Sequence, residues 1–164
     1  MLRSFSCGKT HRYNKIMLQE VLKRLIKRDL AKLKEEIDAY QTESNIWIVA
    51  DGIANSAGNL CLHLVGNLNH FVGTVLGDTG YVRQRDLEFS LKDIPRAELI
   101  EKIEDTVTMI DQVMDKVTDE QLASEYPITV FTKGDTTAYF LSHLATHLGY
   151  HLGQVNYHRR LLDK

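Results

Sequence analysis

The sequence predicts an all-α protein, namely a four-helix bundle with a long crossover between its second and third helices. Four long segments carry apolar residues at a spacing of three to four, which is typical of helices with one buried face. The 164 residues include only two prolines, and this scarcity favours helices. Residues 77–94 are too long for a tight turn, so we expect them to cross between helices that are not antiparallel neighbours.

The first elements follow an N-terminal tail, residues 1–15, which shows no clean period. Residues 16–164 form the predicted bundle, and its first helix spans about residues 16–40. The second helix should begin after Ser56, whose hydroxyl oxygen can accept hydrogen bonds from the amides of the first turn. It should run to about Leu76 and stop at Gly77.

The second half of the chain carries its own helix boundaries. Pro95 fits the first turn of a third helix that continues to about residue 117. Residues 118–121 have the pattern of a capping box for a short extra turn. Residues 126–131 are β-prone but isolated, and we interpret them as an extended connection. Asp135 should then cap the fourth helix, which runs close to the C-terminus.

The composition is that of an ordinary globular protein and argues against several classes of function. The chain is 43% apolar and 26% charged, with a formal net charge of −2. With this net charge, no global basic field argues for a nucleic-acid partner. No apolar run approaches the roughly 18 residues needed to cross a membrane. Because the two cysteines, Cys7 and Cys61, lie in a tail and in a helix, we expect no disulfide and a reducing cytoplasm.

The histidines are the candidate functional residues. His143, His147 and His151 recur every fourth residue and therefore share one helix face, with neighbours about 6 Å apart along the axis. Two imidazoles at this spacing can bind one transition-metal ion, whose nitrogen ligands lie roughly 3.3 Å apart. Three in a row are too spread for one ion, so a third ligand must come from another helix. His63 or His70 can supply it, but hardly both, because they lie about 10 Å apart along their helix.

A second interpretation stays open from spacing alone. The same histidines could form a buried network with Asn, Gln and Tyr side chains that is satisfied internally, because an unpaired buried imidazole costs about 1–3 kcal/mol. A metal bound by three histidines instead keeps an open position for water, which suits a Lewis acid better than a closed structural zinc site. Imidazole ligands suit zinc, nickel, copper or iron.

Two histidine-containing segments resemble the DinB/YfiT-like superfamily, bacterial proteins related to DNA-damage-inducible DinB and to bacillithiol transferases. The fourth helix carries the pattern His143-x3-His147-x3-His151-x-Gly153-Gln154. The second helix is similar to a DinB-like subfamily of unknown function in the pattern Asn55-Ser56-Ala57-Gly58-Asn59-Leu60-x-Leu62-His63-Leu64-x-Gly66-Asn67-Leu68. The crossover fits that subfamily too, in the pattern Gly80-Tyr81-Val82-Arg83-x-Arg85-Asp86-x-Glu88-Phe89. The resemblance covers roughly residues 17–163.

This resemblance implies an up-down-down-up four-helix bundle, often dimeric, with a divalent metal held by three histidines. Carried over by position, the ligands are His63, His147 and His151. Zinc or nickel is the expected metal. Further residues are expected in the pocket or in hydrogen-bonding contact with the ligands or a metal-bound water, namely His143, Gln154, Asn67 and His70.

The resemblance also implies a class of function. Some relatives resemble thiol S-transferases, so we expect a metal-dependent thiol S-transferase or hydrolase. Its partners would be a low-molecular-weight thiol or another small molecule and a second copy of the chain, with no nucleic acid and no membrane. No catalytic nucleophile stands out, and Cys61 is expected to be a buried, small apolar residue. The alternative is a non-catalytic, stress-related binding or dimerisation bundle whose histidines are structural.

Overall fold

The computed structural model describes residues 17–164, so the predicted tail of residues 1–15 lies outside the described residues. The described part is all-α, as predicted, without strands and with one isolated antiparallel bridge between Glu125 and Thr136. It has six helices rather than four, because two short helices lie in the connections. The helices are α1 (Leu18–Asp38), α2 (Ala57–Leu68), α3 (Arg85–Ser90), α4 (Arg96–Met114), α5 (Asp119–Ala123) and α6 (Thr137–Leu162).

The four long helices, α1, α2, α4 and α6, share one apolar core. α1 packs against α4 and α6, and α2 also packs against both of them. The core face of α1 repeats every three or four residues and consists of Leu22, Ile26, Leu30, Leu33 and Ile37, all buried. The contact of α2 with α6 matters most for function, because these are the two helices that carry the histidine patterns.

α2 is buried along its whole length, Ala57–Leu68. Ser56 caps it as predicted, because its hydroxyl oxygen accepts a hydrogen bond from the Asn59 amide at 3.1 Å. The helix continues through a π-helical stretch, Asn69–Thr74, and one further α-turn, Val75–Gly77. The helical run Ala57–Gly77 is therefore long and apolar enough to cross a membrane. This finding corrects the expectation that no such run exists. Within the fold, 61% of the most apolar 18-residue stretch of this run is buried, which is compatible with the core helix of a soluble protein.

Two helix ends differ from the prediction. Asp78, not Gly77, adopts the left-handed conformation that ends the second helical run, with φ of 48°. Gly77 serves packing instead, because a Cβ atom there would overlap the side chain of Val113 on α4. Thr136, not Asp135, caps α6 with its hydroxyl oxygen. Asp135 accepts a hydrogen bond from the backbone of its own turn instead.

The crossover contains a helix, α3, that the sequence analysis did not predict. A helix of six residues is too short to show an apolar period, and this one is rich in charge. Asn59 of α2 fastens it by donating from Nδ2 to the backbone oxygens of Glu88 and Leu91, at 3.0 and 2.9 Å. The other short helix, α5, begins with the predicted capping box at Thr118.

Candidate metal centre

Three histidines from two helices meet where α2 packs against α6. His63 comes from α2, and His147 and His151 lie one turn apart on α6. Each offers one ring nitrogen, and the three nitrogens all lie within 4.8 Å of one another. The Nε2 atoms of His63 and His147 are 3.3 Å apart. Two nitrogens bound tetrahedrally to one zinc ion are separated by about this distance, since each Zn–N bond is about 2.0–2.1 Å long.

The Nε2 atom of His63 is directed at the cluster because its other ring nitrogen is already engaged. Nδ1 of His63 lies 2.9 Å from Oε2 of Glu88. An ionised carboxylate can only accept, so Nδ1 carries the hydrogen and Nε2 keeps a free lone pair. The Arg83 guanidinium is 3.3 Å from the same Nδ1, but it is also a donor and cannot pair with an N–H group. In this tautomer the Nε2 atom of His63 faces His147 and His151.

Glu88 is a buried, charged residue that the sequence analysis did not include in the site. Arg83 donates to both of its carboxylate oxygens, from Nε at 2.7 Å and from Nη2 at 2.8 Å. Burial alone would raise the pKa of the Glu88 carboxyl, but the hydrogen bonds from Arg83 and His63 outweigh it and lower that pKa. Gly66 makes room for the carboxylate, because a Cβ at that position would lie only 2.9 Å from Cδ of Glu88.

Two signals in the sequence pointed towards Glu88 without identifying it. A glycine inside a helix, such as Gly66, indicates that another group approaches the backbone closely, and the structure places the Glu88 side chain there. The crossover also carries charges of both signs, which indicate ion pairs, and Arg83 and Glu88 form one. Neither signal indicated that the pair would contact His63, because that contact depends on how α3 docks on α2.

Gln154 orients the second ring, His151. Its Oε1 atom lies 2.6 Å from Nδ1 of His151, and an amide oxygen can only accept. Nδ1 of His151 therefore carries the hydrogen, and its Nε2 atom is free. Burial lowers the pKa of His151, so this imidazole is neutral at pH 7. A neutral imidazole is the form that binds a metal.

Of the three histidines, His147 has the fewest hydrogen-bond partners for its ring nitrogens. Its Nδ1 atom is buried and has no hydrogen-bond partner within the described residues 17–164. Burial and the neighbouring imidazoles of His151 and His63 lower its pKa to about 4. A network of histidines satisfied internally would leave no such nitrogen, so the three rings do not form a closed hydrogen-bond network. A metal bound at Nε2 would not satisfy Nδ1 either, so the fit to a metal rests on the distances between the ring nitrogens. His147 and His151 are only half-buried, which leaves a side open to a fourth ligand.

Of the other residues predicted around the centre, some contact the three histidines and others do not. Gln154 contacts His151 as described, and the ring of His143 stacks on His147 with a centroid distance of 5.9 Å. Asn67 is buried on α2, but among residues 17–164 no hydrogen bond joins it to the three histidines. His70 lies in the π-helical stretch, where its ring packs against Phe71 at 4.8 Å. Among the described residues, neither Asn67 nor His70 is joined to the three histidine rings by a hydrogen bond or a ring contact, and their place in the pocket stays a prediction.

The fold and the cluster together define an all-helical protein with a candidate three-histidine metal centre between two core helices. The chain belongs to the family described as "Protein of unknown function (DUF1572)", whose sequence model matches residues 12–164. No curated protein matches the chain. Because the family description assigns no activity, the function has to be argued from the three histidines and the groups around them.

Proposed function

We propose that this protein binds one divalent transition metal, zinc or nickel, through His63, His147 and His151. The observation that carries the proposal is the separation of 3.3 Å between the Nε2 atoms of His63 and His147, with a nitrogen of His151 within 4.8 Å of both. Two further contacts support it, because Glu88 and Gln154 hold the Nδ1 atoms of His63 and His151 in the way that acceptors commonly hold metal-binding imidazoles.

The proposed activity is that of a metal-dependent enzyme of the DinB/YfiT type, a thiol S-transferase or a hydrolase. A metal bound by three neutral imidazoles is a Lewis acid that lowers the pKa of a water or a thiol. His147 and His151 are half-buried, so a small molecule can reach the centre from their side. The ring of His143 stacks on that of His147, so His143 would line the pocket beside a bound metal. A low-molecular-weight thiol or another small molecule is the proposed substrate.

The remaining parts of the proposal concern topology, assembly and location. The up-down-down-up order of the bundle rests on the resemblance to the DinB/YfiT-like superfamily and on the long connection between α2 and α4. The homodimer rests on the resemblance to the DinB/YfiT-like superfamily. The cytoplasmic location rests on the few cysteines, of which Cys61 is buried and unpaired. The net charge of −2 is the reason for proposing no nucleic-acid partner.

The metal content of purified protein tests the proposal. We expect about one equivalent of divalent metal per chain, either as isolated or after dialysis against zinc or nickel. His63→Ala and His147→Ala should each lose it, whereas His70→Ala, on the same helical run as His63, should retain it. Folding of each variant is checked by circular dichroism. Wild-type protein that takes up no metal would contradict the metal centre, and metal retained by both cluster variants would contradict the assignment of ligands.

One observation favours the second candidate, a non-catalytic binding or dimerisation bundle with structural histidines. Four surface grooves of about 390 to 610 Å³ in the described part of the chain are lined by residues other than the three histidines. An enzyme would place its substrate cavity at the metal. The two candidates differ in the experiment above, since structural histidines require no metal and their loss would change stability alone.

A further inference from the structure

The segment Asp78–Ile94, which crosses between α2 and α4 and includes α3, rests on the protein through one buried residue. Of its residues, only Glu88 is buried, and most of the others are exposed. Among its apolar side chains, Val82 and Leu87 are 79% and 42% exposed, whereas Phe89 and Ile94 are partly buried, with the Phe89 ring 5.0 Å from that of His63. Because no apolar side chain of the segment is fully buried, its polar contacts contribute a large share of its docking.

Those polar contacts converge on α2. The Glu88 carboxylate enters the space left by Gly66 and accepts from Nδ1 of His63 at 2.9 Å. Arg83, from the same segment, closes the other side of the carboxylate with two hydrogen bonds. Asn59 holds the backbone oxygen of Glu88. The residue that fastens the segment is therefore the same residue that fixes the tautomer of His63.

We infer that Glu88 is a positioning residue that couples metal binding at the three histidines to the docking of residues 78–94 on α2. This inference rests on the proposed function, because it requires a metal at His63. The hydrogen bond to Glu88 keeps the hydrogen on Nδ1 and the lone pair on Nε2, which is the state that a metal needs. A cation on Nε2 makes the Nδ1–H group a stronger donor, and this strengthens the bond to the carboxylate.

The coupling is reciprocal by thermodynamic necessity. If docking of the segment strengthens metal binding by a given factor, metal binding strengthens docking by the same factor. Loss of the carboxylate that holds a metal-binding histidine typically weakens metal binding by about 10- to 100-fold. The exposed crossover would therefore report the occupancy of the metal site, and conditions that release the crossover would release the metal.

Two measurements on the full-length protein test the inference. Zinc affinity is measured by competition with a chelator, and hydrogen exchange of the backbone amides is measured with and without zinc. In the wild type, zinc should slow exchange in Arg85–Ser90. Glu88→Gln keeps the size of the side chain but removes its charge, so it should weaken zinc binding by about 10- to 100-fold and abolish the zinc-dependent slowing.

A second variant displaces Glu88 without removing it. In Gly66→Ala the new methyl group overlaps the carboxylate, so the same two effects are expected. Gly153→Ala is the matched control, because it is also a helical glycine and a Cβ there meets nothing within 4 Å. Hydrogen exchange of the amides in α4 shows whether each variant keeps its core. If Glu88→Gln does not fold, Gly66→Ala alone tests the coupling between Glu88 and metal binding.

The outcomes separate the inference from the proposed function. Wild-type protein that binds neither zinc nor nickel overturns both. If the wild type binds zinc and the two variants bind it with the same affinity, only the inference is overturned. The inference also fails if zinc leaves the exchange of Arg85–Ser90 unaltered in the wild type. Weakened binding together with lost protection, absent from Gly153→Ala, supports it.

Discussion

His147 should destabilise the metal-free protein, and its replacement by leucine should show this. Nδ1 of His147 is buried without a protein partner, and its pKa is lowered to about 4 by burial and by the neighbouring histidines. Both facts mean that the imidazole has lost hydration that the fold does not replace. In His147→Leu an apolar side chain takes this place. We therefore expect metal-free His147→Leu to be at least as stable as the metal-free wild type, while it binds no metal.

The magnitude follows from two opposing contributions. Removing an unsatisfied buried polar group gains about 1–3 kcal/mol. Losing the contact between the Nε2 atoms of His63 and His147, at 3.3 Å, costs about 1 kcal/mol. The net free energy of unfolding should therefore change by about 0 to 2 kcal/mol in the stabilising direction. Zinc at about 1,000 times its dissociation constant should stabilise the wild type by about 4 kcal/mol and the variant not at all.

The assay is urea denaturation of dialysed protein, with and without zinc, followed by circular dichroism. His158→Leu is the control, because His158 lies on the same helix but has both ring nitrogens paired. Its Nδ1 contacts the Tyr40 hydroxyl at 2.7 Å, and its Nε2 contacts the Ile48 carbonyl oxygen at 2.8 Å. This control should lose about 2 kcal/mol or more and keep its response to zinc. A loss of about 1 kcal/mol or more in metal-free His147→Leu would refute the reasoning.

Two further predictions concern stability. Metal-free protein should lose stability as the pH falls from about 6.5 towards 4. The pKa of His147 is about 4 in the fold and about 6.5 in the unfolded chain, so the unfolded chain takes up the proton first and is favoured. Urea titrations across this range should show a weaker pH dependence for His147→Leu, and an equal dependence would contradict the assignment. Gly58→Ala should destabilise by about 1–3 kcal/mol, since its Cβ would lie 2.6 Å from the buried ring of Trp47. Thermal unfolding beside Gly153→Ala measures this, and equal melting temperatures would count against it.

Much of the fold could be predicted from local patterns. The apolar periods of the long helices, the cap at Ser56 and the capping box at Thr118 each depend on residues a few positions apart, and the structure confirms them. The sequence did not predict α3, because its six residues show no apolar stripe. The chain also gave no sign that Asp78 would end the second helical run while Gly77 packs against α4, since this depends on a neighbouring helix.

Part of the candidate site could likewise be predicted from local patterns, and part depends on tertiary packing. The spacing of His147 and His151 on one helix face is a local property, so the sequence alone determined that these two rings can meet at one point. Resemblance, not spacing, selected His63 over His70 as the third member. The packing of α2 on α6 brings the His63 ring to them. Only the docking of the crossover decided that Glu88 and Arg83 contact His63, because residues far apart in the chain meet through tertiary packing that no local pattern encodes.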